Sequence, residues 1–109
     1  MLDIQLFREE AEKIRADHDR RGLPHDNIDK VIELDKKWKG MLRETDELRR
    51  QKNEAARGIG AAKKSGDEAE AQRILSEVAD LGAQISEMEK KTGAFLSERD
   101  SVRMSIPNL

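Results

Sequence analysis

No cysteine occurs among the 109 residues, which excludes disulfides, thiolate metal sites and cysteine nucleophiles. Tyrosine is absent too, and Phe7, Trp38 and Phe95 make up the whole aromatic set, 3 % of the chain. That is too little bulk for a thick globular core. No apolar run approaches the roughly 18 residues of a membrane span, and acidic residues near the start do not suit a signal peptide. Charge of one sign is not in excess either: the net charge is -2, so any nucleic-acid signal has to be local. What the chain does have is charge of both signs, on 40 % of its residues, in a length that allows one domain at most. High charge with low hydrophobicity leaves two options, a disordered chain or long helices with a narrow apolar seam.

Periodicity decides for helices. Asp3 is placed to cap a short helix over about residues 3–21, with Leu6, Phe7, Ala11 and Ile14 on its buried side. Gly22 offers a left-handed C-terminal cap, and Leu23-Pro24 prevents continuation. Asp26 is the expected N-cap of a long helix over about 27–64. A turn at Ser65-Gly66-Asp67 follows, and Asp67 with Glu70 makes a restart resembling a capping box. A second long helix runs over about 68–104, where Ser105-Ile106-Pro107-Asn108 ends it.

On the first long helix the heptad a and d positions fall at Val31, Leu34, Trp38, Met41, Thr45, Leu48, Lys52, Ala55, Ile59 and Ala62. On the second they fall at Ala71, Ile74, Val78, Leu81, Ile85, Met88, Thr92, Phe95, Arg99 and Val102. Sixteen of these twenty are apolar, enough to favour a coiled coil over isolated charged helices. If the chain folds at Ser65-Gly66-Asp67, residues whose numbers sum to 133 face each other: Ala62 with Ala71, Ile59 with Ile74, Leu48 with Ile85, Trp38 with Phe95. Every a position then meets a d position. The expected fold is all-α, a long antiparallel two-helix coiled-coil hairpin with a short N-terminal helix packed at its base. Side chains are small near the turn, where Gly58, Gly60 and Gly82 also lie. Trp38 and Phe95 are expected to form a thick layer near the base. At a rise of about 1.5 Å per residue the arm is expected to reach roughly 50 Å.

Catalytic chemistry has no visible seat. The chain holds no phosphate-cradling glycine loop, no zinc-ligand spacing and no nucleophile–base pair. His18 and His25, at the end of the first helix and in the loop after it, read as solvated or capping residues rather than ligands. The carboxylates fall on helix faces where solvation and i,i+4 pairing account for them.

Charge is nonetheless unevenly placed. From Arg49 to Lys64 there are six basic residues (Arg49, Arg50, Lys52, Arg57, Lys63, Lys64) against one acid, Glu54. From Asp67 to Leu81 there is one basic residue, Arg73, against five acids. Arg50, Arg57 and Lys64 share the outermost heptad position, with Asn53 and Gly60 between them on the same stripe. Cations spaced about one per two turns suit a phosphate backbone, and an RNA helix is read largely through shape, phosphates and hydroxyls. The alternative is a solvated face balancing acids on the neighbouring helix. Basic residues do not interleave with aromatics, which argues against single-strand stacking.

Several stretches together resemble bacterial and archaeal-type seryl-tRNA synthetases. They are the opening Met1-Leu2-Asp3-Ile4, Ile32-Glu33-Leu34-Asp35-Lys36-Lys37-Trp38, Glu47-Leu48-Arg49-Arg50-Gln51-Lys52-Asn53, Ile59-Gly60 with a Lys-rich turn, and the ending Ser105-Ile106-Pro107-Asn108-Leu109. The resemblance covers essentially the whole chain and rests on the order and spacing of these pieces. It implies a tRNA-binding arm detached from a class II catalytic domain. Such an arm recognises the long variable arm and elbow of serine tRNA and positions the acceptor end for serylation. The ATP, Mg²⁺ and serine sites are then expected in that catalytic domain, with no cofactor in this fragment and no enzymatic activity of its own. The full-length enzyme is expected to be a cytoplasmic homodimer. Carried over by position, the RNA-contacting residues are Arg49, Arg50, Asn53, Arg57, Lys63 and Lys64, with Arg73 across the turn as an additional member. One departure is that the second long helix is acidic and Ala-rich near the tip, which shifts the expected contact to the first. Rival readings are a chaperone-like hairpin of prefoldin type, or a protein–protein docking module using Leu75 and Leu96, which lie off the main seam.

Overall fold

The Asp3 carboxylate accepts the Gln5 backbone N–H at 2.8 Å and starts the first helix at the predicted place. The computed structural model describes residues 1–109, with four helices and no strand: α1 (Ile4–Glu9), α2 (Ala11–Arg21), α3 (Asp26–Lys64) and α4 (Glu68–Met104). The single helix expected over 3–21 is therefore two. Glu10 leaves helical geometry at φ -131°, ψ 35°. Its N–H still bonds the Leu6 carbonyl at 2.9 Å, and its own carbonyl accepts the Lys13 N–H at 3.0 Å. With both flanking turns bonded, the interruption needs no glycine or proline, so nothing in the sequence marks it.

The other punctuation follows local chemistry. Gly22 closes α2 in the left-handed region at φ 70°, and the Leu23 N–H reaches back to the His18 carbonyl at 2.8 Å. Asp26 lies inside the first turn of α3, and the His25 carbonyl takes the capping role, accepting the Asp29 N–H at 3.1 Å. At the turn between α3 and α4, Gly66 adopts φ 76°, and the Asp67 carboxylate accepts the Glu70 N–H at 3.0 Å. The Glu70 side chain does not complete a capping box; it pairs with Arg73.

The chain divides into two compact units. One comprises Met1–Gly40 with Gly93–Leu109, the other Met41–Thr92. In the first, α1 and α2 pack with the start of α3 and the end of α4 around Leu2, Phe7, Ile14, Ile28, Val31 and Ile106. Phe7 and Ile14 take the buried positions predicted for them, whereas Trp38 and Phe95 stay half-exposed. The thick layer thus consists of aliphatic residues and Phe7, not of the expected aromatic pair. In the second unit α3 and α4 run antiparallel on either side of the turn. Ala62, Ala71 and Ile74 are buried there, with Ala55, Ile59 and Val78 packed against them. A Cβ placed on Gly58 would stand 3.3 Å from Ile74 Cδ1, so the helices approach closely at that level.

All twenty predicted seam positions are buried or half-buried. The four polar ones each have a physical account. Thr45 and Thr92 donate to the carbonyls one turn back, Met41 at 2.7 Å and Met88 at 2.6 Å, so burial leaves no hydroxyl unpaired. Lys52 runs its stem along the seam, with its amine 3.6 Å from the Cβ position of Gly82. Arg99 lies over the Trp38 ring at 5.0 Å and donates to Asp35.

Candidate nucleic-acid interface

A helix of 3.6 residues per turn returns to the same face every seven residues, about 10.5 Å along its axis. On α3 that spacing carries Arg50, Arg57 and Lys64 along the side opposite the seam, and all three are exposed. Arg49, Asn53 and Lys63 flank them, exposed as well, and Arg73 projects from the first part of α4. Seven side chains nominated from the sequence thus lie on the surface of one unit. Their electrostatic states are not alike.

Three of the seven are engaged by carboxylates. Arg50 forks across Glu47 on one side, with Nη2 2.5 Å from Oε1, and Glu54 on the other, with Nη1 2.7 Å from Oε1. Arg49 bonds Asp46 on its own helix at 3.0 Å and Glu89 on α4 at 2.6 Å. Arg73 bonds Glu70 at 2.5 Å and lies 3.8 Å from Glu77. Donation to Glu47 holds the Arg50 pKa well above the ordinary arginine value, and donation to Glu89 and to Glu70 raises those of Arg49 and Arg73. In return Arg50 and Arg73 depress the pKa values of Glu47 and Glu70. The alternative of a face balanced by acids of the neighbouring helix describes Arg49 alone, through Glu89; Arg50 and Arg73 are balanced by acids of their own helices.

Arg57, Lys63 and Lys64 form no ion pair, and the Asn53 amide has no intramolecular partner. On the outer side of α3 the unpaired cations therefore lie in the half nearer the turn, and Arg43 and Lys91 farther along the unit are unpaired as well. Gly60 lies between Arg57 and Lys63 with nothing within 4 Å of its Cβ position, which leaves the backbone open to approach. Of the acids that pair with Arg49 and Arg50, Glu54 is named from the sequence among the basic residues but is assigned no pairing there, nor are Glu47 and Glu89. Glu47 and Glu54 could have been paired with Arg50, since they lie three residues before and four residues after it.

No set of three or more histidines and carboxylates is arranged to hold a metal ion. The two glycines at positive φ, Gly22 and Gly66, serve a helix end and the turn. The apolar-floored groove lined by Leu48, Ala83 and Met88 is open, with Arg43, Glu47, Glu87 and Lys91 on its rim. No helix is long and apolar enough to cross a membrane.

The two histidines differ from each other, and His18 departs from expectation. His25 is half-exposed and bonds Asp19 through Nε2 at 2.8 Å. His18, expected to be solvated or capping, is 3 % exposed, on the same face of α2 as Ile14 one turn earlier. The register of α2 on the first unit's core puts it there. Of the two leucines off the seam, Leu75 in the second unit is 41 % exposed and Leu96 in the first is half-buried.

Comparison with known proteins places this geometry in context. A family model described as the seryl-tRNA synthetase N-terminal domain matches residues 1–109. The chain is 31 % identical over 109 residues to a serine–tRNA ligase of Haloquadratum walsbyi, covering 100 % of this chain and 24 % of the relative. It is 35 % identical to that of Methanosphaera stadtmanae, covering 100 % and 25 %. Among solved structures it is similar to a seryl-tRNA synthetase from Pyrococcus horikoshii complexed with ATP, with a TM-score of 0.58 and 32 % identity over 88 % of this chain and 23 % of that one. The chain thus spans about a quarter of the length of these relatives.

Proposed function

The chain belongs to the seryl-tRNA synthetase N-terminal domain family, and on that premise we propose that it is the tRNA-binding arm of a serine–tRNA ligase. The observation that carries the proposal is the cluster of unpaired Arg57, Lys63 and Lys64 with the open Asn53 amide on the outer side of α3. These groups suit a phosphate backbone, where each neutralised phosphate releases condensed counterions. The RNA feature engaged is the long variable arm and elbow of serine tRNA. Serine tRNAs have several anticodons, so a feature outside the anticodon serves them all, and a paired RNA arm offers its phosphates to a helix without base reading.

The arm contributes alignment. Holding the tRNA body fixes where its acceptor end lies, and a correctly placed reactant lowers the entropic part of the barrier to serylation. The serylation itself, ATP-dependent and of class II type, belongs to a catalytic domain of the same protein acting as a cytoplasmic homodimer. Arg49, Arg50, Asn53, Arg57, Lys63 and Lys64 are assigned to the RNA contact and Arg73 to its edge.

Changing Arg50, Arg57 and Lys64 together to Ala tests the assignment by titration of serine tRNA at several salt concentrations. We expect helix content by circular dichroism to persist, affinity to fall at least tenfold, and the salt slope to flatten by about two units. Arg73→Ala alone, its charge already shared by Glu70 and Glu77, is expected to change least. Unchanged affinity and slope in the triple variant overturn the stripe as the contact. Serine tRNA lacking its variable arm is expected to bind the native chain no better than a generic tRNA; equal binding with and without that arm overturns the variable-arm assignment.

A further inference from the structure

The same stripe holds two classes of cation, and the difference has a functional consequence. Arg57, Lys63 and Lys64 are free, whereas Arg49 and Arg50 are each gripped by two carboxylates. Glu47, Glu54 and Glu89 are at least half-exposed and could turn to solvent without loss of packing. We propose that Glu47, Glu54 and Glu89 act as an electrostatic mask on Arg49 and Arg50, yielding them only to RNA phosphates held close against α3 and so raising the selectivity of the interface. The inference rests on the RNA-binding reading above and deepens it by naming how the site rejects unsuitable polyanions.

The physical case is a competition. An exposed ion pair contributes little to stability, so a phosphate can displace a carboxylate from arginine at small cost. The cost is not zero, and it is met only by a ligand whose geometry also delivers phosphates to the neighbouring guanidinium. Arg50 bonds Glu47 through both Nε and Nη2, at 3.0 and 2.5 Å, leaving Nη1 for Glu54. All three donor nitrogens are thus directed at acids, and a passing anion finds no open fork. Arg49 is engaged by acids of two helices, Asp46 on α3 and Glu89 on α4. A displaced carboxylate gathers cations from solution as the phosphate sheds them, so masked arginines also add less to the salt dependence than free ones. Initial attraction then comes from Arg57, Lys63 and Lys64, and discrimination from Arg49 and Arg50.

Glu47→Gln, Glu54→Gln and Glu89→Gln combined in the 109-residue chain unmask Arg50 and free Arg49 from its α4 acid, leaving Asp46, without adding a cation. The control carries the same charge change at acids that hold no arginine: Glu44→Gln, Glu68→Gln and Asp80→Asn. Each chain is titrated with serine tRNA and with a generic RNA duplex of similar length, at several salt concentrations. Circular dichroism verifies that helix content is retained. The unmasked chain is expected to bind the duplex about tenfold tighter than the native chain and serine tRNA only about threefold tighter, lowering the ratio between them. Its salt slope is expected to steepen by about one to two units. Equal gains in the unmasked and control chains would show a long-range charge effect and overturn the mask. A ratio that is unchanged or higher overturns it as well. No serine-tRNA binding by either native or unmasked chain overturns the RNA-binding reading and the mask together, whereas binding with unaltered selectivity removes the mask alone.

Discussion

Arg99, on a seam position of α4 where an apolar residue is the rule, donates through Nη1 to Asp35 Oδ1 on α3 at 2.8 Å, with Asp35 4 % and Arg99 5 % exposed. The same carboxylate receives Arg8 of α1 through two bonds, Nε to Oδ2 and Nη2 to Oδ1, both at 2.9 Å. Asp35 therefore ties three helices of the first unit through one buried group. Arg99 also bonds Asp100, which lies 3.2 Å from Arg103. The pair sits beside Trp38, whose ring covers the Arg99 guanidinium and keeps water from it.

Removing Asp35 leaves Arg8 without its acid and takes the acceptor from Nη1 of the buried Arg99, whose Nε and Nη2 keep Asp100. Breaking a buried pair from one side is far more damaging than its net contribution, at roughly 3–5 kcal/mol. Asp35→Ala is expected to destabilise the chain by about 3 kcal/mol in chemical denaturation followed by circular dichroism. Glu33→Ala, on an exposed face and paired only with Lys37, is expected to stay within about 0.5 kcal/mol. A loss below 1 kcal/mol for Asp35→Ala would show that the network is dispensable.

The same group sets an acid limb of stability. The Arg8 hydrogen bond, and to a smaller extent that of Arg99, hold the Asp35 pKa below the ordinary carboxylate value against the opposing effect of burial. With the folded value below the unfolded one of about 3.9, the stabilisation is complete above about pH 4 and is lost as pH falls through the folded pKa. Denaturation midpoints measured from pH 7 down to pH 2 are expected to drop most steeply at the acid end. Asp35→Asn is expected to be less stable at pH 7 and to show a shallower acid limb. Parallel pH profiles for the two chains would contradict the assignment.

Glycines of the second unit separate helix propensity from packing. Gly60 has open space where a Cβ would sit, so Gly60→Ala is expected to stabilise by roughly 0.5–1 kcal/mol. Gly58→Ala gains the same propensity but pushes Ile74 Cδ1 from 3.3 Å, and is expected to come out near neutral. Gly66→Ala, forced into φ 76°, is expected to destabilise by about 1 kcal/mol. Thermal melts of the three variants give the order directly; a Gly58→Ala chain more stable than Gly60→Ala would mean that the helices are not close at that level.

Much of the candidate site was legible because helices map sequence spacing directly onto faces. Seven-residue spacing put Arg50, Arg57 and Lys64 on one stripe, and the structure leaves all three exposed. The pairing state of each cation was less legible. Glu47 and Glu54 are readable as i−3 and i+4 neighbours of Arg50, but Glu89 reaches Arg49 across forty positions of sequence. The break at Glu10 was hidden because it needs no special residue. The burial of His18, Leu2 and Ile106 was hidden because a polar ring or a terminal aliphatic carries no periodic signal.

The sequence by itself pointed to the helical hairpin, since a and d positions on either side of Ser65-Gly66-Asp67 pair in a register that buries their apolar residues. Every seam position is buried or half-buried, as local periodicity requires. Tertiary structure alone decided what holds the first unit together and which cations remain free. Both depend on partners distant in sequence. Asp35 meets Arg8 and Arg99 at separations of 27 and 64 residues, and no helical period relates such positions. Burial gives that contact its strength, and burial exists only once the helices have packed.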